Sequence, residues 1–198
     1  MPNFELEKNI DKPFIAGCDE AGRGPLFGRV YAGAVVLPYD DELFSEINDS
    51  KKLSEKKREQ LFDFICENSI SYGIGYCESS EIDELNIRNA SFLAMKRAIK
   101  QLEPSPNIVL IDGNAFTYEL NCPHSCIIKG DSVSTSIAAA SILAKVARDR
   151  YMRELDEKYP EYGFAKHKGY GTKAHYEAIM KHGVLEEHRK SFNLGVPA

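Results

Sequence analysis

The sequence predicts an α/β fold, a mixed five-stranded sheet with helices on both faces. Three observations carry the prediction. Short runs rich in β-branched and aromatic residues follow one another with hairpin-like connections between residues 14 and 78. Later apolar runs alternate with helical periodicities. An Ala-rich stretch keeps helical spacing across 132–158.

Residues 14–19 form a short apolar run that ends in two acids and reads as a buried strand. Residues 29–37, R-V-Y-A-G-A-V-V-L, read as a second strand closed by Pro38. Ser54 is the expected N-cap of a helix running to about residue 67. Ile70, Tyr72, Ile74 and Tyr76 alternate, so residues 69–78 are the third strand. A helix over 81–102 is expected to break near Asn86. Residues 107–111 give a fourth strand ending at Asp112, and 125–128 a fifth ending at Lys129, Gly130 and Asp131. In 132–158, Ile137, Ala140, Ala144, Ala147, Tyr151 and Leu155 recur near helical spacing, and the Ala-rich middle permits close approach to a sheet. A basic loop at 167–171 precedes a short helix over 172–182. No long linker divides the chain. The expectation is one domain over 1–198, with roughly 160–198 as a C-terminal helical extension.

The sequence contains no run of 18 apolar residues, which excludes a single-helix membrane span. The N-terminal segment lacks the apolar core of an export signal, and five scattered cysteines read as reduced thiols, so a cytoplasmic location and a monomer are expected. A formal net charge of −5 argues against nucleic acid as a partner. Its distribution argues back: basic residues outnumber acidic ones between Lys145 and Lys190, and Lys51, Lys52, Lys56, Lys57 and Arg58 form a second cluster.

Acids at strand ends are the main chemical signal. Asp19 and Glu20, Asp112 and Asp131 fall at the ends of three separate strands. Strand ends are where ligand sites form in open α/β sheets. Carboxylates gathered in one small volume repel, so at least one should hold a proton unless a divalent cation joins them. All-oxygen ligands suit Mg²⁺ or Mn²⁺. Two such ions can clamp the attacking and leaving oxygens of a phosphodiester. A lone Asp after a strand is more often a turn residue or helix cap, so spacing alone leaves both readings open.

The stretch 17–28, G-C-D-E-A-G-R-G-P-L-F-G, resembles the signature of the ribonuclease HII family. Asp49-Ser-Lys-Lys-Leu-Ser, Ile111-Asp-Gly-Asn, and Lys129-Gly-Asp followed by residues 137–150 resemble its next blocks, in the family's order. Lys168-Gly-Tyr-Gly-Thr and His188-Arg-Lys-Ser-Phe resemble its last two. The resemblance implies a ribonuclease H-like fold and an endonuclease that cuts the RNA strand of RNA–DNA hybrids. It also implies cutting 5′ of ribonucleotides embedded in duplex DNA, leaving 3′-OH and 5′-phosphate ends. Two divalent ions, Mn²⁺ or Mg²⁺, are implied at Asp19, Glu20, Asp112 and Asp131. The Gly22-Arg23-Gly24 element is implied to contact the ribonucleotide–deoxyribonucleotide junction, and the Tyr170 ring to pack on the following deoxyribose.

The chain departs from the family's usual pattern at Cys18, Phe27 and Arg29, where the expected effect is on packing of the first hairpin. Arg23 between the two glycines sets it apart from the related type HIII enzymes. Ser50, Lys51, Lys129, Lys145 and Lys168 are candidate phosphate contacts, which position a substrate without reading its sequence. Cys122, His124 and Cys126 lack a fourth ligand and a matching pair, so zinc is disfavoured. Asp149 reads as one end of a helical salt bridge or as a fifth acid. Two rival readings remain open: a hybrid-binding module without catalysis, and a related nuclease that cuts DNA alone.

Overall fold

The computed structural model describes residues 1–195. Its five strands are β1 (Ile15–Ala21), β2 (Val30–Val36), β3 (Ser71–Cys77), β4 (Ile108–Asp112) and β5 (His124–Ile127), in the order β3-β2-β1-β4-β5. The first three form an antiparallel meander, and β4 and β5 join β1 in parallel, so the sheet is mixed. The helices are α1 (Glu5–Lys8), α2 (Glu55–Asn68), α3 (Ser79–Leu85), α4 (Ile87–Ile99), α5 (Thr135–Lys158), α6 (Phe164–His167) and α7 (Lys173–His182).

Strand glycines set how closely the helices lie. On one face α5 crosses β1 and β2. A Cβ on Gly17 would fall 2.1 Å from the Ser136 carbonyl carbon, and one on Gly33 would fall 2.4 Å from the Ala140 oxygen. On the other face α4 lies over β2 and β3, and Gly73 and Gly75 meet the carbonyls of Ala98 and Ala94 in the same way. Small residues on both sides let backbone approach backbone, which explains the Ala-rich middle of α5. Each interface is then sealed by an apolar cluster, Val35, Leu61, Ile142 and Leu143 on the α5 side and Val36, Phe92, Met95 and Val109 on the α4 side. A third cluster, Phe27, Met152, Tyr162, Phe164 and Ile179, binds the residues after 160 to the second half of α5.

The exposed edge of β3 is covered by side chains of its own helix layer. The Gln101 amide accepts from the Ile74 N–H at 3.4 Å and donates to the Ile74 carbonyl at 2.8 Å, while Arg97 Nη1 donates to the Tyr76 carbonyl at 2.7 Å. Such edges otherwise invite pairing with another strand.

The break near Asn86 is present: Asn86 adopts a positive φ of 66° and its side chain accepts from the N–H groups of Arg88 and Asn89, ending α3 and starting α4. Boundaries differ from the sequence expectation by one to three residues in several elements, and three of these bear on the acids or the long helix. β1 continues to Ala21, so Asp19 and Glu20 lie inside the strand. β5 stops at Ile127, and Asp131 sits in a 3-10 turn over Gly130–Ser132 rather than at a strand end. The long helix begins at Thr135 under a Ser134 cap. The short α1 was not expected. It is held by Glu7, a fully buried acid whose carboxylate accepts from Ser134 Oγ at 2.6 Å and from the Ser136 N–H at 3.1 Å at the start of α5. A negative charge there also suits the helix dipole.

Gly17→Ala is expected to cost about 3 kcal/mol or more, the upper range for overpacking against backbone, read as a lowered midpoint in denaturant unfolding.

Candidate active site

β1 and β4 run parallel and side by side, so their C-terminal ends deliver Asp19, Glu20 and Asp112 to one place. These three acids line a single cavity of about 250 Å³, together with Gly22, Arg23, Gly24, Ser50, Lys51, Ser141, Lys145, Arg148 and Tyr170. Asp131 stands beside it. The N–H of the neighbouring Gly130 donates to Asp112 Oδ1 at 2.6 Å, and Lys51 Nζ lies 3.5 Å from Asp131 Oδ2.

Burial raises the pKa of Asp19 well above the usual range, and the charges of Glu20 and Asp112 push it the same way. Burial also raises Glu20, against the pull of Arg23. Asp112 is raised by burial and by Asp131, although the Gly130 N–H works against this. Burial disfavours the Lys51 ammonium, but Asp131, Asp19 and Asp49 outweigh it and raise its pKa. The site is therefore a set of acids that resist sharing one volume while charged, which is the condition a bound cation relieves.

The donor set, carboxylate oxygens alone, fits hard divalent ions. As the side chains stand, each acid is held by its own partner. Glu20 Oε1 lies 3.3 Å from Arg23 Nη1, Asp112 accepts from Gly130, and Asp131 faces Lys51. Among the described residues no three His, Cys, Asp or Glu side chains converge on one point.

Ser50 enters through a serine pair. Its Oγ is 2.8 Å from Ser141 Oγ, and the Ser141 hydroxyl in turn lies near enough to Asp19 to work against the rise in its pKa. Arg58 fixes this turn by donating to the carbonyls of Ser50 at 2.9 Å and Leu53 at 2.6 Å. Lys145 lines the cavity but is paired with Asp149 at 2.7 Å, and burial lowers its pKa. Asp149 also faces Arg58 at 3.8 Å, so it is engaged by two cations. Lys129 and Lys168 stand outside the cavity. Lys129 is exposed, and the Lys168 ammonium lies 3.9 Å from Glu55.

The two glycines around Arg23 serve different needs. Gly22 has φ +96°, and a Cβ there would fall 2.2 Å from Arg148 Nε. Gly24 needs no special φ; its missing Cβ makes room for the Tyr170 ring, 3.3 Å away. Tyr170 is half exposed above it. Phe27, one of the departures noted above, is fully buried and stacks on Phe164 with centroids 3.9 Å apart. Arg29, another, makes a two-pronged ion pair with Glu78.

The residues that hold this loop escaped the sequence reading. Arg189 is fully buried and donates to the carbonyls of Gly22, Arg23, Pro25, Gly28 and Arg29 at 2.7–3.1 Å. Arg148 is also buried, and donates to the carbonyls of Phe27, Arg29 and Lys168. Both lie within the quoted sequence blocks, but nothing in the sequence marks an arginine as buried.

The family model described as Ribonuclease HII matches residues 16–194. The chain is 56% identical over 182 residues to a ribonuclease HII of Shewanella oneidensis, covering 90% of this chain and 87% of that protein. Among solved structures, ribonuclease H2 of Pyrococcus horikoshii superposes with a TM-score of 0.77 at 27% identity, covering 92% of this chain and 95% of that one. A Bst-RNase HIII solved in complex with Mn²⁺ shares the fold, with a TM-score of 0.72 at 18% identity over 98% of this chain and 71% of that one. No helix among the described residues is long and apolar enough to cross a membrane.

An acid whose folded pKa lies above its unfolded one favours the fold when protonated and opposes it as pH rises through the folded pKa. Asp19→Asn should therefore raise the melting temperature at neutral pH in chelator, by about 2–4 °C if the relieved repulsion is ~1 kcal/mol. The advantage should shrink on acidification, as the native Asp19 takes up its proton.

Proposed function

The chain belongs to the ribonuclease HII family, and from that premise we propose that it both cuts the RNA strand of RNA–DNA hybrids and incises 5′ of ribonucleotides embedded in duplex DNA. The coarser activity, ribonuclease H-type hydrolysis of RNA–DNA hybrids, is that of the family. The incision at embedded ribonucleotides, leaving 3′-OH and 5′-phosphate ends, is the finer reading, and its setting is ribonucleotide excision repair in the cytoplasm. One observation carries it: three of the four acids, Asp19, Glu20 and Asp112, line the same cavity as Gly22-Arg23-Gly24 and Tyr170, the elements assigned to the junction.

Asp19, Glu20, Asp112 and Asp131 are assigned to hold two divalent ions, Mn²⁺ or Mg²⁺; the HIII fold relative was solved in complex with Mn²⁺. When bound, such ions polarise a phosphodiester and stabilise its attacking and leaving oxygens. The protein's own groups do the rest. The backbone of residues 22–24, held against movement by buried arginines, presents polar groups to the 2′-OH that separates RNA from DNA. Arg23, half exposed, is free to turn from Glu20 to a phosphate. The Tyr170 ring, braced on Gly24, packs on the next sugar and disfavours a 2′-OH there. Ser50, Lys51 and Lys145 at the cavity, with Lys129 and Lys168 outside it, contact phosphates and fix the strand without reading bases. Action on any sequence follows from that division.

Asp112→Asn should abolish cleavage in Mg²⁺ or Mn²⁺ while leaving the circular dichroism spectrum unchanged; full activity in this variant removes Asp112 from the mechanism. Tyr170→Ala should lower cutting at a single embedded ribonucleotide by about tenfold, the scale of one lost stacking contact of 1–3 kcal/mol, and affect long hybrids less. An all-DNA duplex should stay intact in every case.

A further inference from the structure

His175 and His188 are buried, 0% and 1% exposed, and neither belongs to the chemistry above. His175 Nδ1 is 3.0 Å from the Tyr170 carbonyl, its Nε2 is 3.2 Å from His188 Nε2, and His188 Nδ1 is 2.9 Å from the Leu185 nitrogen. The two ends of this chain allow one proton arrangement. The Leu185 N–H can only donate, so His188 Nδ1 accepts and its proton is on Nε2. That proton goes to His175 Nε2, which leaves the His175 proton on Nδ1, aimed at the Tyr170 carbonyl, which can only accept.

We propose that His175 and His188 are positioning residues for Tyr170, which lock the backbone of residues 169–172 through this one-directional relay and so set where the ring meets the substrate. The inference rests on the reading of Tyr170 as the junction-contacting side chain. The relay is anchored at both ends. His188 pairs with Phe27 across a β-bridge, and the Leu26 N–H donates to the Gly169 carbonyl at 2.8 Å. Tyr170 and the Gly22-Arg23-Gly24 loop are therefore held in one frame. A third imidazole, His167, stacks on His175 with centroids 4.6 Å apart and accepts from the Gly169 N–H at 3.3 Å, bracing the loop from its other side.

An added proton would place two N–H groups against each other at the 3.2 Å contact. The surroundings oppose that. Burial pushes both imidazoles down to about 4, His167 opposes a charge on His175, and His175 opposes one on His188, with only Glu187 and backbone carbonyls pulling upward. Aromatic edges of Phe27 and Phe164 close the shell.

The test compares kcat and KM on a duplex with one embedded ribonucleotide and on a uniform hybrid. His175→Phe keeps ring shape and removes both bonds. It should lower kcat on the single ribonucleotide about tenfold, equivalent to ~1.4 kcal/mol, with a loss on the hybrid of less than about threefold. His175→Asn places an amide N–H where Nδ1 was and should restore most of the loss. Tyr170→Ala is the reference. Equal losses on both substrates in Tyr170→Ala overturn the reading of Tyr170 and this inference with it. A selective Tyr170→Ala beside an unselective His175→Phe, or no recovery in His175→Asn, overturns the relay alone. Imidazole nitrogen NMR shifts of the unmodified protein need no variant to fold. They should show His175 protonated on Nδ1 and His188 on Nε2, both neutral through the range where a free imidazole titrates; the opposite tautomers overturn the inference.

Discussion

A guanidinium buried without an acid in contact among the described residues organises the working end of this molecule. The five N–H bonds of a guanidinium form a planar fork, and in Arg189 they point at five carbonyls of one short loop, residues 22–29. Loop carbonyls that point inward would otherwise be left without water or a partner, at a cost of several kcal/mol together. The arrangement costs the arginine its solvation as well. Burial lowers its pKa to about 9, and the neighbouring charge of Arg148 adds to the effect. A loop built this way has little freedom to deform. That rigidity suits the hydroxyl recognition proposed for the loop, because a yielding site adapts to either sugar.

The acids depend on a different constraint, the nearness of α5 to the sheet. Gly17 and Gly33 let the helix sit close enough for Ser141 to reach both Asp19 and Ser50. The same helix supplies Lys145, Arg148 and Asp149 one and two turns further on. One element thus touches the acidic cluster, the serine-held turn and the loop under Arg23. Stability is given up at this place, since ionising Asp19, Glu20 and Asp112 runs against the preference of their surroundings. Such trade-offs are usual where charge is gathered for chemistry.

Local signals made much of the fold readable. The period of 132–158, the alternation in 69–78 and the break near Asn86 are short-range properties, and the elements they announce are present. The boundary around Asp131 was misjudged because β5 is half exposed and only four residues long, too short to show a period. Of the proposed site residues, Asp19, Glu20 and Asp112 were found as acids on neighbouring strands, a juxtaposition that the parallel pairing of β1 and β4 creates. Arg148, Arg189, His175 and His188 were not found. Arginine and histidine are ordinary surface residues in any sequence, and their burial here comes from contacts between segments far apart in the chain.

The order of synthesis gives this architecture a timing. The acids of β1 and the loop after them are made before the arginine that shapes the loop, which follows Arg23 by 166 residues. At bacterial-scale elongation of about 5–20 residues per second, that interval is roughly 8–30 s. Throughout it the growing polypeptide carries that loop without the donors that shape it. The shape of the cavity's rim is therefore completed only once both ends of this long-range contact exist.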